Sequence, residues 1–258
     1  MLQIKDIEQP SVFTPENLLR EARRQKNIPT GTIPEICVLD PDGDIVKYLL
    51  KTNQAELDKH WACYHTNLYK FQNKEQTIGI IGNAVGASFA VLLAEQLFVS
   101  GCKLLISITS AGIINSPKNN SRFILIESAL RDEGTSYHYL APDKEATIHK
   151  KLADTLSGLF EDTEISLESG KSWTTDAPYR ETQAAIDNAK KHGITAVEME
   201  ASALYAYGIA KKKNIICYAH LTNSMAQNEV DFEKGIENGS IDSLNLIYKT
   251  VNVLHELR

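Results

Sequence analysis

The stretch Ile78-Gly79-Ile80-Ile81, running directly into Gly82-Asn83-Ala84-Val85-Gly86, decides the fold class. The first four residues leave no polar face, as expected of a strand covered on both sides, and the glycines after them read as a tight turn opening a helix. Leu104-Leu105-Ile106 has the same two-sided apolar character. Outward from these runs the rhythm alternates. Strands are predicted over 35–39, 77–81, 104–108, 123–127, 164–169, 196–199 and 215–221. Helices are predicted over 45–50, 88–101, 145–159, 182–191, 201–212 and 241–257. This pattern predicts a single α/β domain over 34–258, with a mixed, largely buried sheet flanked by helices. Residues 1–33 read as an N-terminal extension with one basic amphipathic helix, started by Thr14 as N-cap and Pro15 in the first turn.

Composition removes several functional classes. The chain has 258 residues, 33 acids against 27 bases for a net charge of −6, 43% hydrophobic and 23% charged residues. Those proportions exclude disordered and fibrous classes, and a domain of this size buries a sufficient core without disulfides or a structural metal. Lys211-Lys212-Lys213 is the longest basic run, which argues against a nucleic-acid partner. The apolar stretch 84–94 is cut short by Glu95, so no membrane span is expected, and the first residues lack the pattern of a secretory signal. Cys37, Cys63, Cys102 and Cys217 lie far apart, as reduced, mostly buried cytoplasmic thiols would. No metal or organic cofactor is implied.

Four segments at predicted strand ends carry candidate chemistry. Gly82–Gly86 reads either as a packing turn or as backbone amides that hold an anion. Thr109-Ser110-Ala111-Gly112 suits a pocket floor, and Arg131–Tyr139 is dense in donors and acceptors. Ala196-Val197-Glu198-Met199-Glu200-Ala201 is the most informative, because two carboxylates flank a methionine where a strand hands over to a small-residue helix. Alternation sends Glu198 and Glu200 to one side and Met199 to the other. A carboxylate buried there needs donors, which an arginine or a ligand's hydroxyls can supply.

Val197-Glu198-Met199-Glu200-Ala201 resembles the signature of the nucleoside phosphorylase superfamily of purine and uridine phosphorylases, which also contains methylthioadenosine/adenosylhomocysteine and AMP nucleosidases. The resemblance runs from about residue 35 to the C-terminus and takes in Gly82–Gly86, Ser110-Ala111-Gly112 and Thr174-Thr175-Asp176; Arg131–Tyr139 and 172–182 look most like the uridine phosphorylase branch. It implies a central mixed sheet partly closed as a barrel, cleavage of the N-glycosidic bond of a uridine-like or 6-oxopurine nucleoside, and inorganic phosphate as co-substrate, giving ribose 1-phosphate. It further implies that Glu200 accepts from the ribose hydroxyls while Met199 packs on the sugar. Thr174, Thr175, Asp176, Tyr179 and Arg180 would line the base. Homo-oligomers, dimer to hexamer, are expected because family sites borrow a residue from a neighbour.

The sequence also departs from that pattern. Asn223 stands where purine enzymes use an aspartic acid, and an amide cannot act as a general acid, only donate a hydrogen bond or orient a loop. The phosphate turn reads Asp40-Pro41-Asp42-Gly43-Asp44-Ile45, with Ile45, Ser107 and His60 at the positions of three family arginines. Ser110, Gly82 and Asn83 remain as candidate phosphate contacts, His60 or the N-terminal arm as the group lent between subunits, and Arg131 as a substitute cation. The alternatives are a hydrolase using water and a non-catalytic nucleoside-binding protein.

Overall fold

The computed structural model describes residues 6–117, 121–161, 164–224 and 233–255. Its centre is a ten-stranded mixed sheet: β1 Ile36–Asp40, β2 Ala55–Leu57, β3 Tyr69–Asn73, β4 Gln76–Gly82, β5 Leu104–Ile113, β6 Phe123–Asp132, β7 Ala146–Thr147, β8 Leu167–Thr175, β9 Ala196–Glu198 and β10 Asn214–Asn223. Strands β10, β6, β8, β9 and β5 follow one another in pairing, and β5 pairs back to β10. That makes a closed five-strand ring, from which β1, β4, β3 and β2 continue outward as a sheet.

The length of β5 makes this branching possible. Its first half, Leu104–Ser107, pairs in parallel with Ile36–Leu39 of β1, while Gly112 and Ile113 pair antiparallel with β9. Its other edge runs parallel to β10 from Leu104 onward. The helices are α1 Pro15–Lys26, α2 Asp44–Lys51, α3 Ala87–Val99, α4 Lys150–Leu156, α5 Gln183–Lys191, α6 Ala201–Lys211 and α7 Ser240–His255. In α3 and α6, residues around most of the circumference are buried, and the two helices pack against each other beside the sheet. Small residues in α6 (Ala201, Ser202, Ala203, Ala206, Gly208) permit that approach. Thr14 caps α1 by accepting from the Asn17 amide at 3.3 Å, and α1 packs Leu19 and Ala22 against Ala62.

The predicted α/β domain, its mixed sheet and its partial barrel are all present. Three local expectations differ. Polar β8 occupies 167–175, displaced from the expected 164–169, because its Ser172–Thr175 half pairs with β6 and β9 and does not form a loop. The expected helix over 145–159 splits: Ala146 and Thr147 pair with Ala129 and Ser128, and α4 starts only at Lys150. The β2–β3 hairpin edge, polar and partly exposed, had no apolar run to announce it. The last two residues of the helix expected to 257 lie outside the described residues.

Candidate active site

The turn after β1, the turn after β4, the middle of β5, the β9–α6 junction and the far end of β10 come together at one end of the sheet, where open α/β proteins gather ligands. At the β9–α6 junction Glu198 is buried, and its Oε2 accepts from the backbone amides of Glu200 and Ala201, both at 2.7 Å. Its Oε1 accepts from the hydroxyls of Ser172 at 3.0 Å and Thr174 at 2.5 Å. Four donors and a helix N-terminus satisfy this carboxylate, so it anchors the junction.

Glu200 occupies the N-cap position of α6 and is also buried, 2% exposed. Its Oε1 accepts from the Gly86 amide at 2.6 Å, while its Oε2 has no hydrogen-bond partner among the described residues. Thr109 lies close enough to favour the charged carboxylate, yet its hydroxyl donates to the Ser110 carbonyl at 3.3 Å. Burial, and then the neighbouring Glu198 charge, push Glu200 up to about 8, against the opposing pull of the Gly86 amide. Burial raises Glu198 as well, but its four donors oppose that rise. The pair therefore divides its roles: Glu198 is satisfied by the protein, and Glu200 presents an unsatisfied oxygen beside half-buried Met199.

Gly86 has φ +92°, a conformation that favours glycine and turns its amide toward Glu200. The anion held by the Gly82–Gly86 turn is thus one of the protein's own carboxylates. Gly82 itself is a close-approach position: a Cβ there would lie 3.2 Å from Val46 and 3.3 Å from the Gly43 Cα. Asn83 adopts φ +60° and donates its amide to the Asp40 carbonyl at 2.9 Å.

The turn after β1 holds a second internal anion. Asp42 accepts from both the amide (2.8 Å) and the hydroxyl (2.7 Å) of Ser110. Lys234 bridges Asp42 at 3.2 Å and Asp44 at 2.8 Å with its side chain only 17% exposed. Burial alone would lower the Lys234 pKa, but Asp44 and Asp42 outweigh it and hold the ammonium above its ordinary value. Asp40 lies beneath, capping the turn through Gly43 (3.1 Å) and Val46 (3.0 Å), and burial raises it to about 7. Next to Ser110 across the β5–β10 pairing, His220 stacks on Phe123 at 4.7 Å; burial, then the Arg122 charge, lower it to about 4, so it stays neutral.

On the other side of the junction, Thr174 is fully buried and bonded to Glu198 and the Ser202 amide, so its hydroxyl faces the carboxylate network. Thr175 accepts from the Ala177 amide, and Asp176 accepts from the Gly134 amide at 2.9 Å. Tyr179 is 98% exposed and Arg180 is exposed, so within this chain neither is brought to Glu200. Asn223 ends β10, paired with Gly112, and its amide donates to Thr222 at 3.2 Å.

Two expected anion contacts lie elsewhere. Arg131 makes four hydrogen bonds to its own loop, to Ser136, Leu140, Ala141 and Lys144, and covers the Tyr137 ring at 4.2 Å, so its guanidinium is engaged there and not at Ser110. His60 packs against Gly31 and Pro29, and its carbonyl accepts from Arg23 on α1. The sequence placed Glu133 only within the donor- and acceptor-rich segment 131–139, without a role of its own, and did not point to Lys234. Glu133 is buried and accepts from the Thr135 and Ser136 amides and the Ser202 hydroxyl, joining the 133–136 loop to α6. An acidic turn with no cation of its own was the signal for Lys234, but nothing in the sequence said which lysine would arrive.

A family model for the phosphorylase superfamily matches residues 35–251. Guanosine phosphorylase of Halorubrum lacusprofundi is 24% identical to the chain over 186 residues, 72% of this chain and 76% of that one. Among solved structures, the fold is similar to that of Toxoplasma gondii purine nucleoside phosphorylase in complex with immucillin-H (TM-score 0.74, 15% identity, 88% of this chain and 93% of that one). It is also similar to that of Vibrio fischeri uridine phosphorylase (TM-score 0.69, 22% identity, 85% and 90%). The chain described by this barrel, this Glu198-Met199-Glu200 junction and this match belongs to the phosphorylase superfamily.

Proposed function

We propose that this protein cleaves the N-glycosidic bond of a nucleoside, uridine-like or 6-oxopurine, and releases the free base. The single observation carrying the reading is the Oε2 of Glu200, a buried carboxylate oxygen with no hydrogen-bond partner among the described residues. A ribose offers two vicinal hydroxyl donors that would complete it, with the Met199 side chain against the sugar. Fixed this way, the carboxylate also favours the positive charge that develops on the sugar as the base departs. Hydroxyl donors stabilise ionised Glu200, so binding would draw its raised pKa down and release a proton near neutral pH.

In this reading the base lies toward the 174–180 segment, with Asp176, Tyr179 and Arg180 as candidate contacts and Asn223 as a neutral donor. The absence of an acid at 223 favours uracil and 6-oxopurines, which leave as stabilised anions. Phosphate, expected from the resemblance, meets a carboxylate already seated on Ser110. That contact favours a second reading in which water accepts the sugar. A homo-oligomer in which a neighbour completes the base side would cover Tyr179, and sedimentation tests it.

The deciding experiment is base release from a panel of nucleosides, each with and without phosphate. Release of base supports glycosidic cleavage, and its dependence on phosphate identifies the acceptor. Tight nucleoside binding with no release from any substrate rejects catalysis in favour of a binding protein.

A further inference from the structure

The Asp42 contact has a chemical consequence at the acceptor side of the site. The Ser110 amide, the Ser110 hydroxyl and the Lys234 ammonium converge on one carboxylate. Two hydrogen-bond donors and a largely buried cation are what an oxyanion requires. Here the oxyanion is supplied by the chain. A phosphate dianion approaching the same donors must displace Asp42, and it would still face Asp44, also bound to Lys234. Repulsion among anions at short range in a partly buried site is severe, and Lys234 is shared between Asp42 and Asp44, the latter also paired with Lys47 at 3.6 Å.

We propose that Asp42 is a built-in anion that fills the acceptor seat and thereby selects water over phosphate. The proposal rests on the nucleoside reading for the sugar, whereas the filling of the seat is tested with no nucleoside present. In the hydrolytic step the water oxygen bonds to C1′ as the C1′–N bond breaks. The bonding pair leaves on the base, which takes up a proton from solvent, and one water proton passes to the Asp42 carboxylate and then to solvent. Asp42 is then both the group that excludes phosphate and the acceptor of the water's proton.

Two substitutions separate shape from charge. Asp42→Ala empties the seat and leaves Ser110 and Lys234 in place; Asp42→Asn keeps the seat filled by an amide whose oxygen still accepts from Ser110. Inorganic phosphate is titrated into each protein by calorimetry, with urea melts confirming that each variant folds. The expected result is saturable phosphate binding by Asp42→Ala, at least tenfold tighter than any binding by the unaltered protein or Asp42→Asn. Saturable phosphate binding by the unaltered protein, or none by a folded Asp42→Ala, overturns the proposal. With a nucleoside cleaved by the unaltered protein, base release there is expected to be independent of phosphate, and to become phosphate-stimulated in Asp42→Ala while its phosphate-free rate falls. Release by the unaltered protein only with phosphate overturns it as well. If no nucleoside is cleaved by any variant, the nucleoside reading fails while the titration still decides whether Asp42 fills the seat.

Discussion

Glu200→Gln separates function from stability more sharply than any other change. The glutamine keeps an acceptor for the Gly86 amide and removes the charge. In the folded protein Glu200 holds its proton to about pH 8, against an ordinary value of 4.5 in the unfolded chain. Above pH 4.5 the unfolded state loses this proton first, so the wild-type protein becomes progressively less stable as pH rises to 8. At 1.36 kcal/mol per pKa unit, the penalty approaches about 5 kcal/mol by pH 9. The glutamine carries none of it. Urea melts should therefore show the variant close to wild type at pH 4.5 and more stable by about 3–5 kcal/mol at pH 9. Activity should move the opposite way. Two ribose hydroxyls donating to a carboxylate are worth about 1.5–3 kcal/mol each. Their weakening lowers kcat/KM for a ribonucleoside by about 10²–10⁴, and by less for the 2′-deoxynucleoside. A variant less stable than wild type at pH 9, or one that keeps kcat/KM within tenfold, would refute the reasoning.

Arg131→Ala removes four hydrogen bonds and the stack on Tyr137. Chemical denaturation should show a loss of about 2–4 kcal/mol, and the phosphate dependence of base release should be unchanged. Gly239→Ala adds a Cβ 2.2 Å from the His220 ring and 2.6 Å from the Lys234 carbonyl at a residue with φ +74°. It should cost more than about 2 kcal/mol, read as a fall in melting temperature. His220 is neutral in the fold down to about pH 4 but takes up a proton near 6.5 when unfolded. As pH falls from 6.5 to 4 the unfolded state gains that proton first, so about 3 kcal/mol of stability disappears across this window. His220→Phe should flatten that slope in melts run from pH 7 to 4.

What the sequence made legible follows from which features are local. Ile78–Ile81 and Leu104–Ile106 could be read because two-sided burial writes itself as an unbroken apolar run. Glu198 and Glu200 stood out because two acids at a strand end need partners within a few residues, and two of the donors to Glu198 are indeed the amides two and three residues on, those of Glu200 and Ala201. The barrel closure was not written in any single run: β5 pairs with β1, β9 and β10 along different parts of its length, and β8 is polar enough to pass for a loop. The acceptor side was opaque for a similar reason. Asp42 meets Ser110, 68 positions away in the chain, and Lys234 still further on. Three aspartates crowd one turn in the sequence, but only the three-dimensional contact identifies which of them meets Ser110. Arg131 illustrates the opposite error, a cation near a site in sequence whose donors the folded loop engages.

The most direct test of the central claim is a crystal structure of the protein with a non-cleavable ribonucleoside analogue. The account predicts the 2′- and 3′-hydroxyl oxygens within hydrogen-bond distance, about 2.5–3.0 Å, of the Glu200 carboxylate, with Met199 against the sugar. A pentose bound away from Glu200, or with its diol turned to solvent, would contradict it.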